Sequence, residues 1–255
     1  MITIKKDIIG SIPVLNISMD ESASSALPAV FFIHGFTSAK EHNLHYAYYL
    51  AEKGYRVLMP DTLLHGERGE GLDETRLSTK FWEIVLTTIE ELGILKDHYS
   101  KNGLINEGRL GVAGTSMGGI VTLGALTKFP WIKAAVSLMG CPSYVDLANA
   151  QISMLKKRGY TLPYSEEKLN SMMDMLGNYD LSRQPEVLEG KSLFFWHGKQ
   201  DTVVPYQPAY DFYKTLSGND HPKLHDLQFM TDDLGGHKVS RDGVLRSVQW
   251  VADNL

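Results

Sequence analysis

Cysteine is nearly absent from this chain of 255 residues, in which Cys141 is the only one. A single cysteine excludes an internal disulfide and any metal site built from several cysteines. The simplest interpretation is a reducing compartment such as the cytoplasm.

The chain also lacks long apolar runs and an excess of positive charge. No apolar stretch reaches the ~18 residues that a membrane-spanning helix needs. Residues 1–18 alternate between apolar and polar side chains, and Gly10 and Pro13 interrupt this pattern. They therefore lack the continuous apolar core of a signal peptide. The net charge is -5, and the longest basic run, Lys156–Arg158, is predicted to be a solvated helix face. These features predict a soluble, cytoplasmic protein with neither a nucleic-acid nor a membrane partner.

Internal repeats, low-complexity segments and linkers rich in Pro, Gly and Ser are absent as well. The hydrophobic content of 43% and charged content of 22% are typical of a globular protein. We therefore predict a single domain over residues 1–255.

Short apolar runs alternate with helical patterns along the chain. Six runs are apolar on both faces, as buried parallel strands are: 29–35, 55–61, 109–116, 133–140, 192–198 and 227–233. A hairpin of exposed strands is predicted over residues 2–17. This alternation predicts an α/β fold with a mostly parallel central sheet and helices on both faces.

Helical patterns fill most intervals between these strands. They cover residues 43–54, 78–100, 117–129, 208–216 and 240–255. Ser78 is predicted to be the N-cap of the second pattern. In the first pattern, three tyrosines either mark a contact in a homo-oligomer or supply the buried face of the helix: Tyr46, Tyr48 and Tyr49.

The interval from about 144 to 189 contains two helical patterns with no strand between them. An insertion at this point lies above the carboxyl ends of the strands, where open α/β sheets form ligand crevices. We predict a small helical lid. Its methionines either line an apolar substrate pocket or pack the lid onto the body: Met154, Met172, Met173 and Met175.

Ser116 lies between Gly114 and Gly118, where a predicted strand meets a predicted helix. It is either a helix N-cap or a nucleophile that a tight turn raises into the crevice. The glycines favour the second interpretation, because such a turn is too tight for side chains at positions 114 and 118.

A serine nucleophile needs a base, and His237 is the best candidate of the nine histidines. It follows the last predicted strand, after two glycines that allow the loop to fold back. His197 ends a strand and is interpreted as a packing or turn residue. Five others are predicted to lie on the surface: His42, His45, His98, His221 and His225.

The imidazole in turn needs a carboxylate to hold its tautomer. Asp201 follows the penultimate strand, and Asp146, after the preceding strand, is its rival. Asp232 and Asp233 lie close to His237 in sequence and are interpreted as loop-capping residues.

Two backbone donors are needed for the oxyanion of a tetrahedral intermediate. The N–H of Met117 follows the serine, and the N–H of Phe36 lies in the turn after the first core strand. The ring of Phe36 is also a candidate wall of the acyl pocket, and His34 is interpreted as a brace of this loop.

Together the motifs HGF, GTSMGG, HGKQDTVVP and GGHK resemble the α/β-hydrolase superfamily, and the resemblance covers nearly the whole chain. The order Ser116, Asp201, His237 is that of the superfamily. The loops resemble bacterial carboxylesterases related to the prolyl oligopeptidase-type catalytic domain, and HGFT is similar to cinnamoyl and feruloyl esterases. The resemblance implies a serine hydrolase that acts through an acyl-enzyme, with no metal or organic cofactor.

One departure from that resemblance concerns the loop after the second core strand. Many relatives have Asp-Xaa-Xaa-Gly-His-Gly there, whereas this chain has Leu64 at the first glycine. His65 and Arg68 therefore either bind a polar or acidic substrate group or serve a structural turn.

The leading hypothesis is hydrolysis of small-molecule carboxylic esters with small to medium acyl groups. A peptidase, a thioesterase, an acyltransferase and a non-catalytic binding protein of the same fold are the alternatives. Peptidases of this type usually carry a large extra domain, for which the chain has no room. Dienelactone hydrolases and haloalkane dehalogenases have Cys or Asp in place of Ser116, and the presence of all three site residues disfavours a binding protein.

Overall fold

The computed structural model describes residues 1–157, 159, 165–218 and 223–255. Arg158 and His221, both covered by surface predictions, lie outside these residues. Within them, no helix has the length and apolar character that crossing a membrane requires.

Eight strands of the described chain form one sheet. They are β1 (Ile2–Ile9), β2 (Ile12–Met19), β3 (Leu27–Ile33), β4 (Arg56–Pro60), β5 (Ile105–Thr115), β6 (Ala134–Leu138), β7 (Ser192–Gly198) and β8 (Asp226–Asp232). Their order is β1-β2-β4-β3-β5-β6-β7-β8. β3 to β8 pair in parallel, whereas β1 and β2 add an antiparallel edge. The predicted mostly parallel sheet is confirmed.

β3 lies at the centre of the winding. Val30 is opposite Val57 of β4 on one side and Gly111 of β5 on the other. The chain thus winds outward in both directions from this point, which is where open α/β sheets form their crevice. Because the strands are parallel, the loops that follow them meet at one edge of the sheet.

The predicted N-terminal hairpin forms, but its second strand is not exposed. Val14 and Ile17 of β2 are almost fully buried. β2 pairs with β1 on one side and β4 on the other, and its side chains join both core clusters. Of the two hairpin strands, β1 is the one at the edge of the sheet.

Helices cover both faces of the sheet. They are α1 (Leu44–Glu52), α2 (Glu74–Thr79), α3 (Phe81–Lys101), α4 (Met117–Lys128), α5 (Tyr144–Lys157), α6 (Glu166–Gly177), α7 (Tyr206–Leu216) and α8 (Arg241–Asn254). The buried side chains of α1 and α8 share one core cluster, and those of α3, α4 and α7 belong to the other. Tyr46 belongs to the buried face of α1, Tyr49 is partly buried, and Tyr48 is 49% exposed.

The predicted N-cap at Ser78 is wrong. The helical pattern there divides into α2 and α3, which meet at Lys80. Asp73 caps α2 instead, because its carboxylate accepts a hydrogen bond from the Arg76 N–H at 2.9 Å. Ser78 lies within α2, and its hydroxyl donates back to the Glu74 carbonyl at 2.7 Å.

The segment between β6 and β7 contains α5, α6 and two short 3-10 turns. Its two ends are joined by Asp180, whose buried carboxylate accepts from the N–H groups of Val145 at 3.0 Å and Ser182 at 3.1 Å. A lid function for residues 144–189, and the single-domain organisation of residues 1–255, stay predictions.

The methionines of this segment do not form one group. Met172 and Met173 are partly buried and pack against the core. Met154 and Met175 are both 51% exposed. Packing onto the body accounts for the first two.

Candidate active site

Ser116 occupies a strained turn between β5 and α4. Its backbone has φ 56° and ψ -117°, and its side chain makes no capping hydrogen bond to the helix. The turn is tight because a Cβ on Gly114 would lie 2.4 Å from the carbonyl carbon of Gly118, and a Cβ on Gly118 would lie 2.0 Å from the Ile33 oxygen. The Ser116 N–H donates to the Leu138 carbonyl of β6 at 2.8 Å. The turn is thus wedged between β3 and β6.

We expect Gly118→Ala to destabilise the protein by at least about 3 kcal/mol, a large fraction of an ordinary unfolding free energy. The new methyl would press on the backbone of β3, which cannot move without breaking the sheet. Urea unfolding measures the loss. Gly177→Ala is the matched control, since the nearest atom to its Cβ is an Arg183 nitrogen at 3.7 Å. Equal stabilities of the two variants would contradict the packing argument.

Three predicted site residues form one hydrogen-bonded chain. His237 Nδ1 lies 2.7 Å from Asp201 Oδ2, and His237 Nε2 lies 2.7 Å from Ser116 Oγ. With the Nδ1 proton donated to the carboxylate, Nε2 is free to accept from the hydroxyl. Asp201 is buried, while the His237 side chain remains 22% exposed. The histidine therefore lies where both the serine and a ligand from solvent can reach it.

Asp201 is held in its ionised form. Burial alone raises the pKa of a carboxyl group, but hydrogen bonds from His197, His237 and the Val203 N–H outweigh burial and hold the pKa of Asp201 well below its usual range. The other oxygen, Oδ1, accepts from the N–H groups of Val203 at 2.8 Å and Val204 at 3.0 Å. The carboxylate is thus fixed in orientation as well as in charge.

The loops that carry Asp201 and His237 are joined directly. The Lys199 N–H donates to the Asp232 carbonyl at 2.8 Å, and the Gln200 N–H donates to the Gly235 carbonyl at 2.9 Å. Gly198 allows this approach, because a Cβ there would lie 2.5 Å from the Gly235 oxygen. These backbone contacts fix the distance between acid and base.

His197 has a contact that its sequence position did not suggest. The ring is buried, and Nε2 lies 3.0 Å from the Val204 carbonyl and 3.4 Å from Asp201 Oδ2. It thus contacts the same carboxylate oxygen of Asp201 as His237 does. The spacing of four residues from Asp201, at the end of a strand, was the signal that could have suggested this contact.

Phe36 lies in the turn after β3, and Met117 is the first residue of α4, directly after Ser116. A Cβ on Gly35 would lie 3.4 Å from the Ser116 Cβ, so the turn containing Phe36 packs against the serine. Among the described residues, the N–H groups of Phe36 and Met117 have no hydrogen-bond acceptor. The Phe36 ring contacts the rings of His65 and Phe81, with centroids 5.4 Å and 5.6 Å away.

Two buried histidines connect the Phe36 turn to the loop after β4. His34 Nε2 accepts from the Thr62 N–H at 3.1 Å, and His65 Nε2 accepts from the Thr37 N–H at 3.0 Å. Burial lowers the pKa of His34 to about 4 and lowers the pKa of His65 as well, which keeps both rings neutral and able to accept. His34 therefore braces this loop, as its position in the sequence suggested.

Arg68 makes structural contacts. Its guanidinium donates to both oxygens of Glu91, at 2.8 Å and 2.7 Å, and to the Asp61 carbonyl at 3.1 Å. Leu64 adopts φ 61°, the left-handed conformation that a glycine would take without strain. The structural interpretation of this loop accounts for both His65 and Arg68.

The remaining candidates lie elsewhere. Asp146 is exposed on the first turn of α5, while Asp201 contacts His237. Four histidines are exposed: His42, His45, His98 and His225. In the part of the chain that the structure describes, no group of three or more His, Cys, Asp or Glu side chains could hold a metal ion.

A mostly parallel sheet with helices on both faces and a serine raised on the turn after a central strand is the α/β-hydrolase fold, as predicted. The crystal structure of TT1662 from Thermus thermophilus shares this fold, with a TM-score of 0.75, 19% identity and coverage of 99% of this chain and 98% of that one.

Sequence comparison then gives the family. A sequence model of the prolyl oligopeptidase family matches residues 41–255, and the chain belongs to this family. It is similar to "Putative esterase YitV" of Bacillus subtilis (strain 168), with 51% identity over 250 residues and 98% of both chains covered. It is also similar to "Esterase YjfP" of Escherichia coli (strain K12), with 31% identity over 224 residues and 88% of both chains covered. The predicted resemblance is confirmed.

Proposed function

We propose that the protein is a serine hydrolase that cleaves carboxylic esters of small to medium acyl groups through an acyl-enzyme. The observation that carries the proposal is the continuous hydrogen-bonded chain from Ser116 through His237 to Asp201. A hydroxyl, an imidazole and an ionised carboxylate in this order can move one proton during nucleophilic attack.

In the first half of the reaction, Ser116 Oγ attacks the ester carbonyl carbon while its proton passes to His237 Nε2. The N–H groups of Phe36 and Met117 donate to the oxyanion, and Asp201 stabilises the imidazolium. His237 then gives the proton to the leaving alcohol as the ester C–O bond breaks. This leaves the acyl group on Ser116.

In the second half, a water molecule repeats the sequence. His237 takes a proton from the water as its oxygen attacks the acyl carbon, and returns that proton to Ser116 as the acid is released. These steps draw only on groups of the chain and on water.

Esters are favoured over amides because the relatives from Bacillus subtilis and Escherichia coli are named as esterases. The family name favours peptide hydrolysis as the second candidate. A lid of the modest length predicted for residues 144–189 favours acyl groups of modest size.

Turnover of para-nitrophenyl esters from acetyl to octanoyl, compared with para-nitroanilides of the same acids, tests the proposal. We expect ester turnover with a maximum at a short or medium acyl chain, and a fluorophosphonate adduct located on Ser116 by mass spectrometry. Preferred cleavage of the anilides would support the peptidase alternative. A folded protein without turnover or adduct would overturn the proposal of a serine hydrolase.

A further inference from the structure

The turn that carries the Phe36 N–H contains a strained residue. Thr37 has φ 58°, and a β-branched side chain rarely adopts this left-handed conformation. Such residues persist only where their surroundings hold them, and they concentrate at functional sites. Thr37 directly follows the proposed oxyanion donor. A change in its φ would rotate the Phe36–Thr37 peptide, which adjoins the Gly35–Phe36 peptide that carries the donor N–H.

Within the turn, the Thr37 hydroxyl donates to the Phe36 carbonyl at 2.7 Å, and the Ser38 N–H donates to the Gly35 carbonyl at 3.3 Å. From outside the turn, Thr37 is held by His65. The Thr37 N–H donates to His65 Nε2 at 3.0 Å, and His65 Nδ1–H donates to the Leu63 carbonyl at 2.9 Å. Only the neutral ring with its proton on Nδ1 makes both hydrogen bonds. The ring is 3% exposed and also packs edge-on against Phe36.

His65 can hold the turn because its own loop is rigid. The buried Asp61 carboxylate accepts from the N–H groups of Lys40, at 3.1 Å, and Glu67, at 3.0 Å, and pairs with Lys40 Nζ at 2.6 Å. Gly66 has φ 53°, and a Cβ there would overlap the Asp61 carboxylate. Residues 61–68 therefore form a fixed template beside residues 34–40.

We propose that His65 is a positioning residue for the oxyanion hole: its hydrogen bond from the Thr37 N–H holds the strained turn so that the Phe36 N–H faces the carbonyl oxygen above Ser116. This inference rests on the proposed function. Without the acceptor, Thr37 relaxes toward negative φ and the Phe36 N–H turns away. The effect falls on the transition state, since the oxyanion develops charge that the ground-state carbonyl lacks.

The test uses kcat and KM for a para-nitrophenyl ester in His65 variants. His65→Phe keeps a ring against Phe36 but removes the acceptor, and we expect kcat to fall by about 10²-fold, as for loss of one oxyanion donor, with KM within about threefold. His65→Gln offers an acceptor of similar reach, and we expect this variant to keep at least about a tenth of wild-type kcat. Thermal melts establish that each variant is folded.

A second background separates positioning from general packing. Thr37→Gly removes the strain, because glycine adopts φ near 58° freely. We expect the kcat loss caused by His65→Phe to be about tenfold smaller in the Thr37→Gly background than in wild type. An equal loss in both backgrounds would show that His65 acts only through packing and would overturn the proposal.

His65→Asn serves if His65→Phe does not fold. Asn can still donate toward Leu63 but is too short to reach Thr37, so we expect the same selective loss of kcat. Wild-type kcat in this variant would overturn the role of His65. Failure of the proposed function itself is distinguishable, since it would show as absent turnover in the wild-type protein measured in the same series.

Discussion

Replacing Ser116 with alanine is expected to lower kcat for ester hydrolysis by at least about 10⁴-fold. The acyl-enzyme of the proposed mechanism forms on this hydroxyl, whose oxygen lies 2.7 Å from His237 Nε2. Residual turnover would come from the oxyanion donors and from binding alone.

The fold should tolerate this change. The Ser116 side chain makes no capping contact to α4, and alanine carries the same backbone strain as serine at φ 56°. Circular dichroism and the thermal midpoint should therefore match those of the wild type. Ser78→Ala, on exposed α2, is the matched serine control and should keep full activity. A Ser116→Ala protein with more than about a hundredth of wild-type kcat would contradict the nucleophile assignment.

Asp201→Asn is expected to lower kcat by about 10⁴-fold with an intact fold. An asparagine Oδ1 can still accept from the N–H groups of Val203 and Val204, so the loop keeps its shape. The amide nitrogen then faces His237 Nδ1 and donates to it. This moves the imidazole proton to Nε2, where the ring can no longer accept from Ser116.

The variant should also be less stable at neutral pH. The pKa of Asp201 is lower in the folded protein than its ordinary value of 3.8, so ionisation contributes stability above about pH 4 that is lost as the pH falls below that value. The stability difference between wild type and Asp201→Asn should therefore narrow in acid. Asp146 is the rival carboxylate and is exposed on α5, so Asp146→Asn is the control and should retain wild-type kcat. If Asp146→Asn were the inactive variant, the acid would be misassigned.

The elements that could be predicted from sequence are those whose signal is local. The sequence predicts β7 over residues 192–198, and the structure has it at Ser192–Gly198. The prediction is local because a short run that is apolar on both faces is typical of a buried parallel strand. The break at Lys80 was missed, since residues 78–100 have a continuous helical pattern and the interruption lies only in the Lys80 backbone, at φ -97° and ψ 0°. The burial of β2 was missed because its partner, β4, is distant in sequence.

For the site, the sequence by itself determined which residue types stand at the ends of which strands. The two glycines around Ser116 and the order of Ser116, Asp201 and His237 follow from short patterns, which is why these three residues could be named before the fold was known. Their catalytic roles stay predictions until the variants are measured.

Only the tertiary structure decided how the polar groups pair. Three contacts join groups on different loops or at opposite ends of one loop. They are His197 with Asp201, the Thr37 N–H with His65, and the buried Lys40 with Asp61. The physical reason is that a hydrogen bond requires its donor and acceptor to lie at the right separation within a few tenths of an ångström, and that separation is set by how the sheet packs. The local sequence restricts the backbone conformation of a residue, but its hydrogen-bond partner depends on which strands and loops pack next to it.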